Sequence, residues 1–149
     1  MEKILLAVDN SKQSEKATKK AGELAVALES EITILTVVDA DNIYHPVHSR
    51  FKKERLVEKR EEEIKEKGEK ILNKTEKLLE DFLEEKNIKI NKLSKIGTPS
   101  EYICKIAEDN DYDLVIMAST GEGGVKRFLL GSTSDRVVRH AGTSVMIVK

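Results

Sequence analysis

Five short apolar runs punctuate the chain: Ile4 to Val8, Ile32 to Val38, Ile88 to Ile96, Leu114 to Met117, and Val145 to Val148. In the first, second, fourth and fifth, Val, Ile and Leu follow one another with little polar alternation. That is the pattern of parallel strands covered on both faces. The third interleaves Ile88 and Ile90 with Lys89 and Asn91, as an edge strand with one wetter face does. Helical spacing fills the gaps. Ala17, Ala21, Leu24, Ala25 and Leu28 form one stripe of mostly small residues that can lie close to a sheet. From about Phe51 to Lys86 runs a long charged helix carrying Ile64, Ile71, Leu72, Leu78, Leu79, Phe82 and Leu83 on its apolar stripe, with Gly68 expected to bend or divide it. Thr98-Pro99-Ser100-Glu101 has the form of a capping box with proline at the first helical position, and Ile103, Ile106 and Ala107 follow as a buried face. A last helix begins near Ser132, turns Val137, Val138 and Ala141 inward, and stops at Gly142.

Strands alternating with helices predict an α/β domain with a parallel sheet and right-handed crossovers. At 149 residues, without repeats or a linker, the chain is expected to be a single domain spanning residues 1–149. Charged residues make up 36% of it, yet Lys+Arg 26 and Asp+Glu 27 nearly cancel. This argues against a nucleic-acid binder, which carries a basic excess. No stretch approaches the ~18 consecutive apolar residues of a membrane span. The opening Met1-Glu2-Lys3 leads into an apolar run too short for a signal-peptide core. A single cysteine, Cys104, excludes an internal disulfide and suits a reducing compartment, so the expected address is the cytoplasm.

In open α/β sheets ligands bind beyond the carboxyl ends of the strands, where the strand order reverses. One eligible loop is Ala7-Val8-Asp9-Asn10-Ser11. The richest is Ala118-Ser119-Thr120-Gly121-Glu122-Gly123-Gly124, continuing through Val125 to Leu130 into Gly131-Ser132-Thr133-Ser134. Glycines let backbone N–H groups face a ligand closely, and the helix from Ser132 points its amides and positive dipole end into the same space. Ser132, Thr133 and Ser134 add hydroxyls, while Lys126 and Arg127 add charge. These are the parts of a phosphate cradle. The plainer reading is a flexible turn followed by a capping box of Ser132 with Asp135. Neither G-x4-G-K-[ST] nor a G-x-G-x-x-G after the first strand is present.

At this point the sequence resembles the universal stress protein family. The resemblance rests on Ile4-Leu5-Leu6-Ala7-Val8-Asp9-Asn10-Ser11, on Ile96-Gly97-Thr98-Pro99, on Asp113-Leu114-Val115-Ile116-Met117, and on the loop that follows. ATP-binding members carry G-x2-G-x9-G-[ST], and Ala118-x2-Gly121-x9-Gly131-Ser132 matches except at the first glycine. The resemblance implies a three-layer fold with a five-stranded parallel sheet in order 3-2-1-4-5. It implies a nucleotide site of Ala7, Val8, Asp9, Val37, Met117, Ala118, Gly121, Gly131, Ser132 and Thr133. Asp9 and Val37 would meet adenine, Ala7 and Ala118 the ribose, and Gly121, Gly131, Ser132 and Thr133 the phosphates of ATP or AMP, with Mg²⁺. The Ala118 methyl narrows the ribose approach, and Glu122 sets a carboxylate beside phosphate. The resemblance further implies a homodimer through Val145 to Val148, an apolar edge that invites a symmetric mate.

Other candidates are weaker. His45 and His48 share a loop with Asp39 and Asp41, but Pro46 fits a turn and flanking metal ligands are lacking, so no metal site is expected. His140 suits the last turn of its helix. Cys104 is expected to pack as a small hydrophobe. The function expected is that of an ATP-binding regulatory protein of the stress response, acting through an unidentified protein partner. A nucleotide-free interaction module and a slow ATPase are the alternatives. With no Trp and 4% aromatic residues, a flavin carrier has little to stack on its cofactor.

Overall fold

The computed structural model describes residues 1–39, 53–121 and 129–149, with side chains in the second stretch from residue 59 onward. Strands and helices alternate: β1 (Lys3–Ala7), α1 (Lys12–Leu28), β2 (Glu31–Val38), α2 (Lys53–Leu83), β3 (Ile90–Ile96), α3 (Pro99–Asp109), β4 (Leu114–Ala118), α4 (Ser132–His140) and β5 (Ser144–Val148). The strands form one all-parallel sheet in order β3-β2-β1-β4-β5. The order reverses beside β1, whose Ala7 is in register with Leu35 on one side and Met117 on the other.

Strand parity divides the core. Ile4, Leu6 and Val8 face the layer of α1 and α2 together with Ile32, Ile34, Leu114, Ile116 and Ala118. Leu5 and Ala7 face the layer of α3 and α4 with Leu35, Val115 and Met117. Both faces are covered, which is why the central strands lack polar alternation. Ala17, Ala21 and Ala25 are fully buried and bring α1 close to the sheet. Thr36 sits inside the sheet at no polar cost, because its hydroxyl donates to the Val8 carbonyl at 3.0 Å.

Several expectations need correction. Gly68 does not divide α2; a Cβ there would strike the Ser94 hydroxyl of β3, so the glycine lets an unbroken helix sit on the sheet. α2 ends at Leu83 because Glu84 turns left-handed, at φ 49. β3 starts at Ile90 rather than Ile88, whose amide is taken up in a turn by the Lys86 carbonyl. Neither expected capping box forms. Thr98 makes no side-chain cap bond, and Pro99 at the first position has no N–H to satisfy. Ser132 is already the first residue of α4, one place too late to cap it, and Asp135 instead pairs with Arg139 at 3.0 Å. Val138 is 46% exposed and Leu28 41% exposed, where burial was expected. On nine-residue α4, Val137 takes the inward position and its neighbour turns away by one helical step. Leu28 is the last residue of α1, just before the left-handed cap at Glu29.

Candidate functional site

Beyond the carboxyl ends of β1, β2 and β4 lies a cavity of about 320 Å³. Ala7, Val8, Asp9, Val37, Met117, Ala118, Gly121, Gly131, Ser132 and Thr133 all line it. The sheet topology brings them together from separate segments, since the β1–α1 and β4–α4 connections flank the switch point.

The β1–α1 connection is organised by Asp9. Its Oδ1 accepts from the Ser11 amide at 2.9 Å and the Ser14 hydroxyl at 2.7 Å, while its own amide donates to Ser14 Oγ at 3.0 Å. Ser11 caps α1, its Oγ accepting from the Ser14 amide at 3.1 Å. One short polar network therefore starts a helix and fixes a carboxylate. The other carboxylate oxygen, Oδ2, faces Gly121 so closely that a Cβ on that residue would overlap it. Close approach, rather than a left-handed backbone, is what requires glycine at 121.

The start of α4 is tied back to the end of β4 through one carbonyl. Ser119 accepts the Gly131 amide at 2.8 Å and the Ser134 hydroxyl at 2.7 Å, and its own amide donates to the Val148 carbonyl at 2.9 Å. This corrects the expected donor set, because the Gly131 N–H and the Ser134 hydroxyl point into the protein. The amides of Ser132, Thr133 and Ser134 remain at the head of the helix, and Gly131, the N-cap residue, brings no side chain to bond them. Ala118 is buried and is among the residues that line the cavity.

The sequence did not single out Lys67 and Ile71 of α2, Pro99 and Ile103 of α3, or Ser14 and Thr120, which also line the cavity. Ile71, Ile103 and Pro99 were visible only as helix-face or cap residues. Lys67 carried no signal beyond its place next to Gly68, where α2 lies against Ser94 of β3. Asp39 lies at the mouth with interactions of its own. Glu122, Gly123, Gly124, Lys126 and Arg127 lie outside the described residues, as do His45, Pro46, His48 and Asp41. Among the described residues no group of three or more His, Cys, Asp or Glu side chains is placed to hold a metal, and no helix is long and apolar enough to cross a membrane. Cys104 is half-buried against the α3–α4 layer. Burial pushes its thiol pKa up, and Glu108 adds to the effect, the reverse of what a nucleophile needs.

A doubly wound parallel sheet with a cavity at its switch point is the arrangement in which open α/β sheets bind ligands. The chain belongs to the universal stress protein family, whose profile matches residues 1–149. It is 32% identical to universal stress protein MJ0577 of Methanocaldococcus jannaschii, over 99% of this chain and 94% of that protein. The solved structure of MJ0577 superposes with a TM-score of 0.82 at 30% identity, covering 99% of this chain and 95% of that one. A universal stress protein in complex with cAMP shares the fold at 21% identity and TM-score 0.70, covering 99% of this chain and 97% of that one. So does the universal stress protein from Archaeoglobus fulgidus in complex with dAMP, at 14% identity and TM-score 0.65, covering 100% and 98%.

Proposed function

We propose that this universal stress protein binds an adenine nucleotide, ATP foremost, in the switch-point cavity, and regulates the stress response through ligand-dependent binding rather than turnover. The observation that carries the proposal is convergence. Ten residues picked out along the sequence line one cavity, and the open head of α4 lies at its edge. Backbone amides with no capping side chain favour an anion through both hydrogen bonds and dipole. Apolar walls from Val8, Val37 and Met117 suit a flat base. Two proteins of the same fold are held with cAMP and dAMP, so the fold accommodates adenine nucleotides elsewhere.

On this proposal Asp9 and Val37 flank the base, Ala7 and Ala118 the ribose, and Gly121, Ser132 and Thr133 the phosphates, with Gly131 fixing the turn. Mg²⁺ would arrive on the phosphates with water completing its shell, since the described side chains offer no cage of their own. β5 is a sheet edge, and α4 beside it exposes Val138. Both features support a homodimer through β5, and the single cysteine suits a reducing compartment such as the cytoplasm. Titration calorimetry with Mg-ATP tests the binding proposal, with saturable heat at one site per chain expected. No heat at millimolar ATP would refute it.

One observation favours a second reading. The Gly131 amide is satisfied internally and the Asp9 carboxylate abuts Gly121, so part of the hollow is already occupied. A nucleotide-free interaction module would look the same, and its melting temperature would ignore Mg-ATP.

A further inference from the structure

The cavity's charge is the unexpected part of it. Among the described residues that line it, two side chains are carboxylates, Asp9 and Asp39, and Lys67 is the one cation. A nucleotide adds one to four negative charges of its own, so positive charge is scarce among the described residues that line the hollow. The head of α4 offsets this from the α3–α4 layer, with roughly half a unit of positive charge. Lys67 comes from the opposite layer. Ile71, one turn further along α2, packs in the core shared with α1 and is buried, while Lys67 is exposed at the mouth. Residues four apart on a helix lie one above the other, so both side chains reach the cavity from one face of α2. Gly68 makes this reach possible. It is buried against Ser94 and Thr36, which seats the helix on the sheet at that turn.

We propose that Lys67 is a counter-charge that helps admit phosphorylated ligands to this cavity. It acts from the wall opposite α4 and distinguishes nucleotides from the uncharged nucleoside. This rests on the nucleotide reading above and adds a specificity-determining residue outside the glycine-rich loop. Its effect is electrostatic and lies at the mouth, so it is sensitive to salt and requires charge rather than shape.

The test is calorimetric titration of the intact protein with ATP, AMP and adenosine, for wild type, Lys67→Gln and Lys67→Arg, at low and high salt. Glutamine is a good helix former at this exposed position, so the fold is expected to survive, and the melting temperature without ligand checks it. Lys67→Gln is expected to weaken ATP roughly five- to twentyfold at low salt and AMP less, leaving adenosine unchanged, while Lys67→Arg binds as wild type. The loss is expected to shrink at high salt. Equal weakening of adenosine would overturn the electrostatic role in favour of contact with base or ribose. Wild-type ATP binding with an unaffected Lys67→Gln would overturn the assignment of Lys67 alone. A wild type that binds none of the three overturns the nucleotide reading and this assignment with it.

Discussion

The carboxylate of Asp9 occupies the space into which any side chain at position 121 would grow. Two loops that follow different strands thus meet at the sheet's point of reversal, and each constrains the other. Asp9 is held from below by Ser11 and Ser14, so it has little freedom to yield. Gly121→Ala is therefore expected to destabilise the protein by about 1–3 kcal/mol, as overpacking does. The pair is also coupled. In a double-mutant cycle by denaturant unfolding, Asp9→Ala should remove most of the cost of Gly121→Ala. Additive effects would mean that the contact carries no energy.

Gly97 follows β3 at φ +153, and a Cβ there would lie 2.5 Å from the Tyr102 ring. Backbone and neighbour both oppose a side chain. Gly97→Ala should cost about 1–3 kcal/mol in a urea melt, with Tyr102 forced to turn. A change within 0.5 kcal/mol would contradict this account of the turn.

Asp113 holds the beginning of the chain. Its Oδ2 accepts from the amides of Glu2 at 2.7 Å and Lys3 at 2.9 Å, and these bonds bring its pKa below the ordinary carboxylate value. A group whose folded pKa is depressed stabilises the fold above its unfolded pKa, about 3.9, and loses that contribution as pH falls through the folded value. Thermal melts should therefore show wild type and Asp113→Asn converging below about pH 4, with the variant less stable near neutrality. A pH-independent difference would exclude the charge as the cause.

Ala118 stands where the family's ATP-binding pattern has glycine, and it is a buried residue that lines the cavity. Ala118→Gly is expected to have opposite effects on ligand and fold. Nucleotide affinity should rise as the ribose approach widens, and stability should fall by about 0.5–1 kcal/mol, because glycine in a strand loses more freedom on folding. Calorimetry and urea melts read the two separately. Unchanged affinity would show that the methyl does not narrow the site.

How much the sequence disclosed depended on the kind of signal. Strand and helix identities were legible because Ile4, Leu5 and Leu6 must be covered on both faces, and because Ala17, Ala21 and Ala25 can only be a close-packed stripe. The ten candidate site residues were legible through glycine spacing and family resemblance, and all ten line the cavity. What remained hidden came from helices that cross the sheet. Lys67 is one lysine in a long charged helix, and only the seating of Gly68 on Ser94 singles it out. The inward Gly131 amide was equally hidden, since spacing names a residue but not the direction of its N–H. Val138 is exposed despite its apolar side chain, because two adjacent valines compete for one inward position on a short helix.

Ligand binding should also be visible as stability. A nucleotide at a hundred times its dissociation constant raises the unfolding free energy by about 2.7 kcal/mol. Melting curves with rising Mg-ATP should move upward without levelling off, since stabilisation grows with the logarithm of ligand concentration. A curve that shifts equally with magnesium alone would assign the effect to the ion.

The most direct measurement is to unfold freshly purified protein and identify, by chromatography and mass, whatever small molecule it releases. An adenine nucleotide in near-stoichiometric amount is the predicted result. Protein that releases none, and that takes up none when first stripped and then offered Mg-ATP, would contradict a nucleotide site at the head of α4.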